Sequence, residues 1–371
     1  MQRKLHSLSG LMATLLVVVT AITGAVLAVN PLLERAQAKV WGSSSISVAE
    51  LTGNIATRYP GAEQIQRTPS GNIIIYFTDG ERAGADLINP ITGATIGAYT
   101  TSPVMVWVKN LHRSYLLETS GRVAAGVAAL VMLLLTISGA MVLANRLGGW
   151  RHIFRPIQGS FKQRLHCEVG RLAVLGLLLS ATTGLYMSAQ TLGLTPEHQQ
   201  TEPSFPEHVN GGMPVPIATL AALQSIPVTA LRELVYPYPK DRSDVYSIRT
   251  NQGAGYIDQS TGQLLSYQPY ATKQKLDEFI YMLHTGEGLW WLGLLLALGS
   301  LAVPLMAWTG VQLWWQRKQS VTYIDNNTEP QNADTVILVG SEGNSTWGFA
   351  KTLHDALSQS GHLVHTAAMN S

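Results

Sequence analysis

Four long apolar segments constrain this chain more than any other feature. They run from about Leu8 to Val29, Val123 to Ala144, Leu172 to Met187 and Leu289 to Trp315. The third extends back to Leu165 if Glu168 and Arg171 are accommodated. A helix of about 20 residues, rising 1.5 Å per residue, spans the ~30 Å hydrocarbon core of a bilayer. All four segments reach that length, the third only with its polar first turn near the interface. The expected fold class is therefore membrane α-helical, a four-helix bundle. The charged fraction of 13% agrees, being about half that of a soluble domain. A net charge of +2 gives no reason to expect a nucleic-acid partner.

Lysine and arginine placement sets the expected orientation. Arg3 and Lys4 precede the first segment, and Arg317 and Lys318 follow the fourth. Arg146, Arg151, Arg155, Lys162 and Arg164 lie between segments two and three with no acid among them. The remaining connections mix both signs. Both termini are thus expected on the cytoplasmic side of a bacterial inner membrane, with two larger domains outside. Trp290, Trp291, Trp314 and Trp315 mark the ends of segment four as an aromatic belt would. A signal peptide ending at Ala36-Gln37-Ala38 is the competing reading of the start. Its apolar run of ~20 residues exceeds the usual signal core of about 7–15. Cleavage there would remove His6.

The chain repeats itself. A Ser/Thr-Gly pair lies in each apolar segment: Thr23-Gly24, Ser138-Gly139, Thr183-Gly184 and Thr309-Gly310. A histidine precedes each, namely His6, His112, His166 and His284, at spacings to the glycine of 18, 27, 18 and 26. The alternation pairs helix one with three and helix two with four, a tandem duplication. The outside segments correspond as well. Asn89-Pro90-Ile91-Thr92-Gly93 and Asp258-Gln259-Ser260-Thr261-Gly262 read as equivalent hairpin turns. Helix is expected over Ser47 to Arg58, strand over Ile73 to Phe77, and helix again over Ile217 to Leu223 and Val228 to Leu234.

The expected organisation is a first membrane helix at 1–30, an outer domain at 44–105 and a second helix at 109–146. A basic loop at 147–163, a third helix at 164–190 and a second outer domain at 203–270 follow. The fourth helix is expected at 276–318, a linker at 319–333 and a C-terminal segment at 334–371.

Lys4-Leu5-His6-Ser7-Leu8-Ser9-Gly10, Leu111-His112-Arg113 and Leu283-His284-Thr285-Gly286, with the two Thr-Gly turns, carry a resemblance. The order helix, small α+β domain, Leu-His-Arg, helix, then the same again, resembles the PepSY-associated transmembrane helix family over about residues 1–320. The resemblance implies two periplasmic α+β PepSY-like domains. It also implies kinship with iron-uptake membrane proteins and reductases of ferric siderophores.

On the expected topology, His6 and His166 begin outward-going helices at the inner face. His112 and His284 begin inward-going helices at the outer face. One histidine pair per side suits bis-histidine ligation of two haems, since bundles build cofactor sites from facing helices and intramembrane histidines default to functional readings. Cys167 is the single cysteine, which removes CxxCH attachment, so the haems expected are two non-covalent haem b. A metal-ion or proton path through the same histidines, or plain structural histidines, are the alternatives. Arg113, Arg122 and Arg171 are candidate propionate contacts, although snorkelling toward lipid phosphate explains them almost as well. Glu287 either bonds near the outer ligand or caps a helix. His152 reads as surface, and His198 and His208 as solvated loop residues.

Thr335 to Val339, a glycine-containing loop and the helical Trp347 to Ser358 open a doubly wound pattern. Gly343-Asn344-Ser345 resembles the FMN-phosphate loop of the flavodoxin-like domains of sulfite reductase flavoproteins. Glu342 departs from that pattern, and about 38 residues are far fewer than the roughly 100–150 of a whole domain. The segment is expected to be incomplete, holding FMN only in a full-length parent chain. The activity expected is a haem-dependent oxidoreductase that reduces ferric iron outside the membrane. Its partners would be membrane lipid, a ferric chelate or siderophore, and a cytoplasmic flavin or NADPH-linked donor. The alternatives are a membrane-anchored binding module without redox activity and an iron-related transporter.

Overall fold

The computed structural model describes residues 2–37, 46–80, 82–195, 202–319, 323–340 and 345–369. The chain forms two compact units. Unit one comprises Met1–Thr14, Ile137–Leu172 and Ala302–Ser371, and unit two comprises Leu15–Thr136 and Ala173–Leu301.

In chain order, α1 (Gln2–Gln37) is followed by α2 (Val48–Ala56) and the strands β1 (Ala62–Arg67), β2 (Ile73–Asp79), β3 (Arg82–Ile88) and β4 (Thr95–Ala98). Next come α3 (Pro103–Ser114), α4 (Glu118–Leu147) and α5 (Phe161–Thr191). The second repeat continues with α6 (Ala221–Gln224), β5 (Leu231–Val235), β6 (Val245–Thr250), β7 (Gly253–Asp258) and β8 (Leu264–Pro269), then α7 (Thr272–Thr285) and α8 (Trp290–Gln319). The chain then runs through β9 (Thr335–Val339), α9 (Ser345–Gln359) and β10 (Val364–Ala368).

Four stretches are long and apolar enough to cross a bilayer: Leu5–Ala36, Glu118–Leu147, Phe161–Thr191 and Trp290–Gln316, with mean hydropathy of 1.6 to 2.5. At most 28% of any of these windows is buried. Leu134, Leu172, Leu175 and Leu298 present more than half their surface outward, a distribution that water would penalise and hydrocarbon would not.

The second and fourth expected helices are each broken in two. Tyr115 ends α3 with φ 47°, and Leu116 and Glu118 also lie at positive φ. Gly286 ends α7 with φ 72°, and Gly288 follows at 77°. A left-handed residue at this point stops the helix and redirects the chain. Each break comes two or three residues after a histidine, so His112 and His284 sit at the ends of short helices separate from the spans.

In unit two, the strands before and after the α4–α5 pair join in one sheet of order β4-β3-β2-β1-β5-β6-β7-β8, with every neighbouring pair antiparallel. The joint is β1 on β5, with Ile65 opposite Leu234. Leu51, Ile55, Ile65 and Ile75 of the first repeat share one core with Leu220, Leu223, Leu231 and Ile248 of the second. Burying each such side chain contributes about 1.5–3 kcal/mol, and residues of both halves contribute to the one core. The helix expected over Val228 to Leu234 is instead a 3-10 turn at Val228–Ala230 and strand β5. Pairing with β1 on one side and β6 on the other overrides local propensity there.

The two hairpin turns agree with their expectation. Asn89 Oδ1 accepts the Ile91 and Thr92 amides, and Asp258 Oδ1 accepts those of Ser260 and Thr261. Asn89 and Asp258 carbonyls accept the Gly93 and Gly262 amides in turn.

In unit one, β9 and β10 pair in parallel across α9, from Thr335 opposite Val364 to Val339 opposite Ala368. Asn326 and Asn327 side chains bond the backbone of β10 along its other edge. The basic loop before α5 is clamped to the helices. Arg146 donates to the Gln158 carbonyl, and Arg171 Nη1 donates to those of Ile153 (3.0 Å) and Arg155 (3.2 Å).

Candidate functional site

His112 lies on α3 in unit two. Its Nδ1 is 3.0 Å from Thr23 Oγ1 and 3.0 Å from the Thr20 carbonyl oxygen, both on α1. A carbonyl can only accept, so Nδ1 carries the proton and Nε2 keeps its lone pair. The threonine agrees, because its hydroxyl donates to Val19 O at 2.7 Å and so accepts from the imidazole.

The second repeat builds the same arrangement. His284 Nδ1 is 2.9 Å from Thr183 Oγ1 on α5, and that hydroxyl donates to Leu179 O at 2.7 Å. The Ser180 carbonyl also accepts from His284. In unit one, His166 Nδ1 is 2.9 Å from Thr309 Oγ1 on α8, whose hydroxyl donates to Leu305 O. His6 Nδ1 is 2.9 Å from Ser138 Oγ on α4. Every histidine of the repeat is therefore gripped through Nδ1 by the Ser or Thr of its partner helix. The threonine partners place the proton on Nδ1, which for His112 and His284 makes Nε2 the atom available to a metal. An outer hydrogen bond of this kind fixes the tautomer and ring orientation of ligating histidines.

The glycine of each Ser/Thr-Gly pair makes room for the ring. A Cβ on Gly24 or Gly184 would lie 3.0 Å from Cε1 of His112 or His284, and one on Gly139 would lie 3.1 Å from Cε1 of His6. The fit at Gly310 is looser, 3.5 Å from Cε1 of His166. The motif thus supplies a hydroxyl that holds the imidazole and a gap that admits it.

His112 and His284 face each other across unit two, with ring centroids 6.3 Å apart and planes inclined by 44°. With metal–nitrogen bonds of about 2.0 Å and ring centres about 1.2 Å behind the nitrogens, two imidazoles on one iron have centroids roughly 6.4 Å apart. The separation fits bis-histidine ligation. Burial pushes both rings down from the usual histidine range. For His284, burial and then neighbouring His112 bring it to about 4, so both stay neutral, the ligating form. Among the described residues, no group of three or more His, Cys, Asp or Glu side chains is arranged to hold a metal ion. A haem iron asks only two ligands of the protein.

The arginines divide. Arg171 pairs with Glu168 and grips the loop carbonyls of Ile153 and Arg155. Arg113 and Arg122 are exposed at the end of α3 and the start of α4. Glu287 bonds the Tyr281 hydroxyl, which burial and then the Glu287 charge push up to about 12. His152 Nδ1 bonds the Gly148 carbonyl in the clamped loop. His208 lines an open cleft of about 390 Å³ with Glu207, Asp241 and Asp244. His198, Gly343 and Asn344 lie outside the described residues, and Ser345 is the first residue of α9.

A family model described as the PepSY-associated TM region matches residues 3–317. The chain belongs to this family. The match takes in the four membrane helices, His6, His112, His166 and His284, and the whole eight-stranded sheet, and stops before β9. No curated protein matches the chain.

The sequence shows the Ser/Thr-Gly pairs only as markers of the repeat, without their role. A usable signal exists: in a hairpin of antiparallel helices, a residue near the start of one helix lies level with one near the end of the other. That places His6 beside Ser138-Gly139 and His112 beside Thr23-Gly24.

Proposed function

We propose that this membrane protein carries electrons across the bacterial inner membrane and reduces ferric iron, held in a siderophore or similar chelate, on the outside. The observation that carries the reading is the 6.3 Å separation of the His112 and His284 rings, with both Nδ1 atoms engaged and both Nε2 atoms left for iron. His6 and His166 would hold a second haem with the same kind of support. Haem b so ligated supplies one-electron carriage, at a potential tuned by burial and outer hydrogen bonds.

The chain's own residues do the rest. Thr23 and Thr183 hold the imidazoles in the ligating tautomer, and the backbone carbonyls of Thr20 and Ser180 reinforce it. Gly24 and Gly184 let the rings lie against the helices. Ala28, Leu292, Leu296 and Ala297, with Leu283 and Leu289 packed against them, make an apolar cluster beside His284. On the charge-derived topology, His6 and His166 would hold the haem nearer a cytoplasmic flavin or NADPH-linked donor, and His112 and His284 the haem nearer the external chelate.

The test is a proteoliposome assay with a reductant enclosed and a ferric chelate outside, read by a ferrous-specific dye. Ferrous iron should form with wild type and fall to the empty-vesicle rate with His284→Ala. Equal rates for the two proteins would refute the reading.

A further inference from the structure

We propose that α7 is a strut that sets the orientation of His284 against the eight-stranded sheet, with Tyr186, Asp277, Arg232 and Glu278 as its positioning residues. The inference rests on His112 and His284 being iron ligands.

Asp277 stands seven residues before His284, two helical turns, and so on the same face of α7. That face is bonded to α5 at two points: His284 to Thr183, and Asp277 Oδ1 to the Tyr186 hydroxyl at 2.6 Å. Thr183 and Tyr186 are one turn apart on α5, so the two bonds fix both the height and the rotation of α7. Lys273 Nζ holds the other Asp277 oxygen at 3.0 Å.

A different face of α7 is tied to the sheet. Arg232 on β5 makes a two-pronged pair with Glu278, Nη1 to Oε1 at 2.8 Å and Nη2 to Oε2 at 2.9 Å. Two parallel bonds to a planar guanidinium constrain angle as well as distance. The Arg232 guanidinium also lies 5.3 Å from the Tyr270 ring centre, just before α7. Beyond His284, Gly286 and Gly288 end the strut in left-handed conformations, so α7 is separated from the membrane span α8.

The first repeat lacks the device. Seven and six residues before His112 stand Met105 and Val106, and the counterpart of Tyr186 is Val26. None of these can form the bonds. Instead α3 exposes Val104, Val106 and Trp107. Among the described residues, one histidine of the pair is thus tied to the sheet by these polar bonds, and the other is not.

The test is the low-spin haem electron paramagnetic resonance spectrum of detergent-purified full chain, which reports the angle between the two imidazole planes of each haem. Glu278→Gln and the milder Tyr186→Phe should each shift the signal of the haem lost in His284→Ala and leave the other unchanged. The exchanged pair Arg232→Glu with Glu278→Arg should restore the wild-type position. Unchanged spectra in both single variants, or equal shifts of both haems, would overturn the strut. If wild type carries no haem, the ligand reading fails separately, and hydrogen–deuterium exchange then decides the strut. Exchange over residues 279–285 should be about tenfold faster in the Tyr186→Phe, Glu278→Gln double variant, with 105–112 unchanged. Unaltered exchange over 279–285 would overturn the proposal.

Discussion

The two halves of the chain hold His112 and His284 in the same way and differ in how they support them. His112 in the first and His284 in the second meet a threonine hydroxyl at 3.0 and 2.9 Å, a backbone carbonyl and a glycine gap of equal width. Around this shared centre the halves part. The turn after β3 is anchored by Asn89 and its counterpart by Asp258. The helix break uses Tyr115, Leu116 and Glu118 in one half and glycines in the other. At His112 and His284 the groups that touch the imidazole are the same in both halves, while the helix breaks beyond them are built from different residues.

The sharpest test of that division is at the glycines. Gly184→Ala should disrupt ligation, since its Cβ would press on His284 at 3.0 Å. Overpacking costs about 1–3 kcal/mol, roughly five- to 150-fold in affinity. Gly24→Ala should match it, whereas Gly310→Ala, with 3.5 Å available, should leave haem content unchanged. Haem-to-protein ratios after gel filtration read the result. Alanine ordinarily stabilises a helix relative to glycine by about 1 kcal/mol, so a loss at Gly184 is diagnostic of the ring behind it.

The turns come next. Burial of Asp258 by itself would raise its carboxyl. Hydrogen bonds from the Ser260 hydroxyl and the Asn210, Thr261 and Ser260 amides outweigh that and hold it well below the usual carboxylate range. A folded-state value below the unfolded one means stability that is complete above about pH 4 and lost as pH falls further. Asn89 cannot titrate. Asp258→Ala should destabilise the sheet by about 3 kcal/mol at neutral pH, from charge-assisted bonds lost and amides left unpaired. Asp258→Asn should remove the acid-dependent part alone. Urea midpoints at pH 7 and pH 3 separate these outcomes.

The smallest effect is at the breaks. Leu116 at φ 62° and Glu118 at φ 50° are held in a conformation that costs an ordinary residue about 1–2 kcal/mol. Leu116→Gly should therefore stabilise slightly or be neutral. Gly286→Ala should destabilise, because its φ is positive and its Cβ would fall 2.5 Å from the Gly293 nitrogen. Thermal unfolding of the pair in one detergent shows whether the asymmetry holds.

The spans and both hairpin turns were legible because each rests on local pattern: apolar length, and an Asx side chain two residues before the amide it accepts. The break at 286–288 carried a glycine signal. The break at Tyr115 carried none, since nothing in Tyr-Leu-Leu-Glu announces three left-handed residues. The joining of β1 to β5 was out of reach, because about 170 residues separate the partners and edge pairing leaves no local mark. The loop partners of Arg171 were out of reach for the same reason: they are backbone carbonyls of a loop whose path the residue types do not dictate. The histidines themselves were legible as a set, while the hydroxyls that grip them were visible only as punctuation in the helices.

The most direct test of the central claim is a haem count by pyridine haemochrome on protein purified with ample haem supply, in wild type and each His→Ala variant. The account predicts two b-type haems per chain, one lost in both His112→Ala and His284→Ala, and the other lost in both His6→Ala and His166→Ala. A wild type without haem, or His112 and His284 variants that lose different haems, would contradict it.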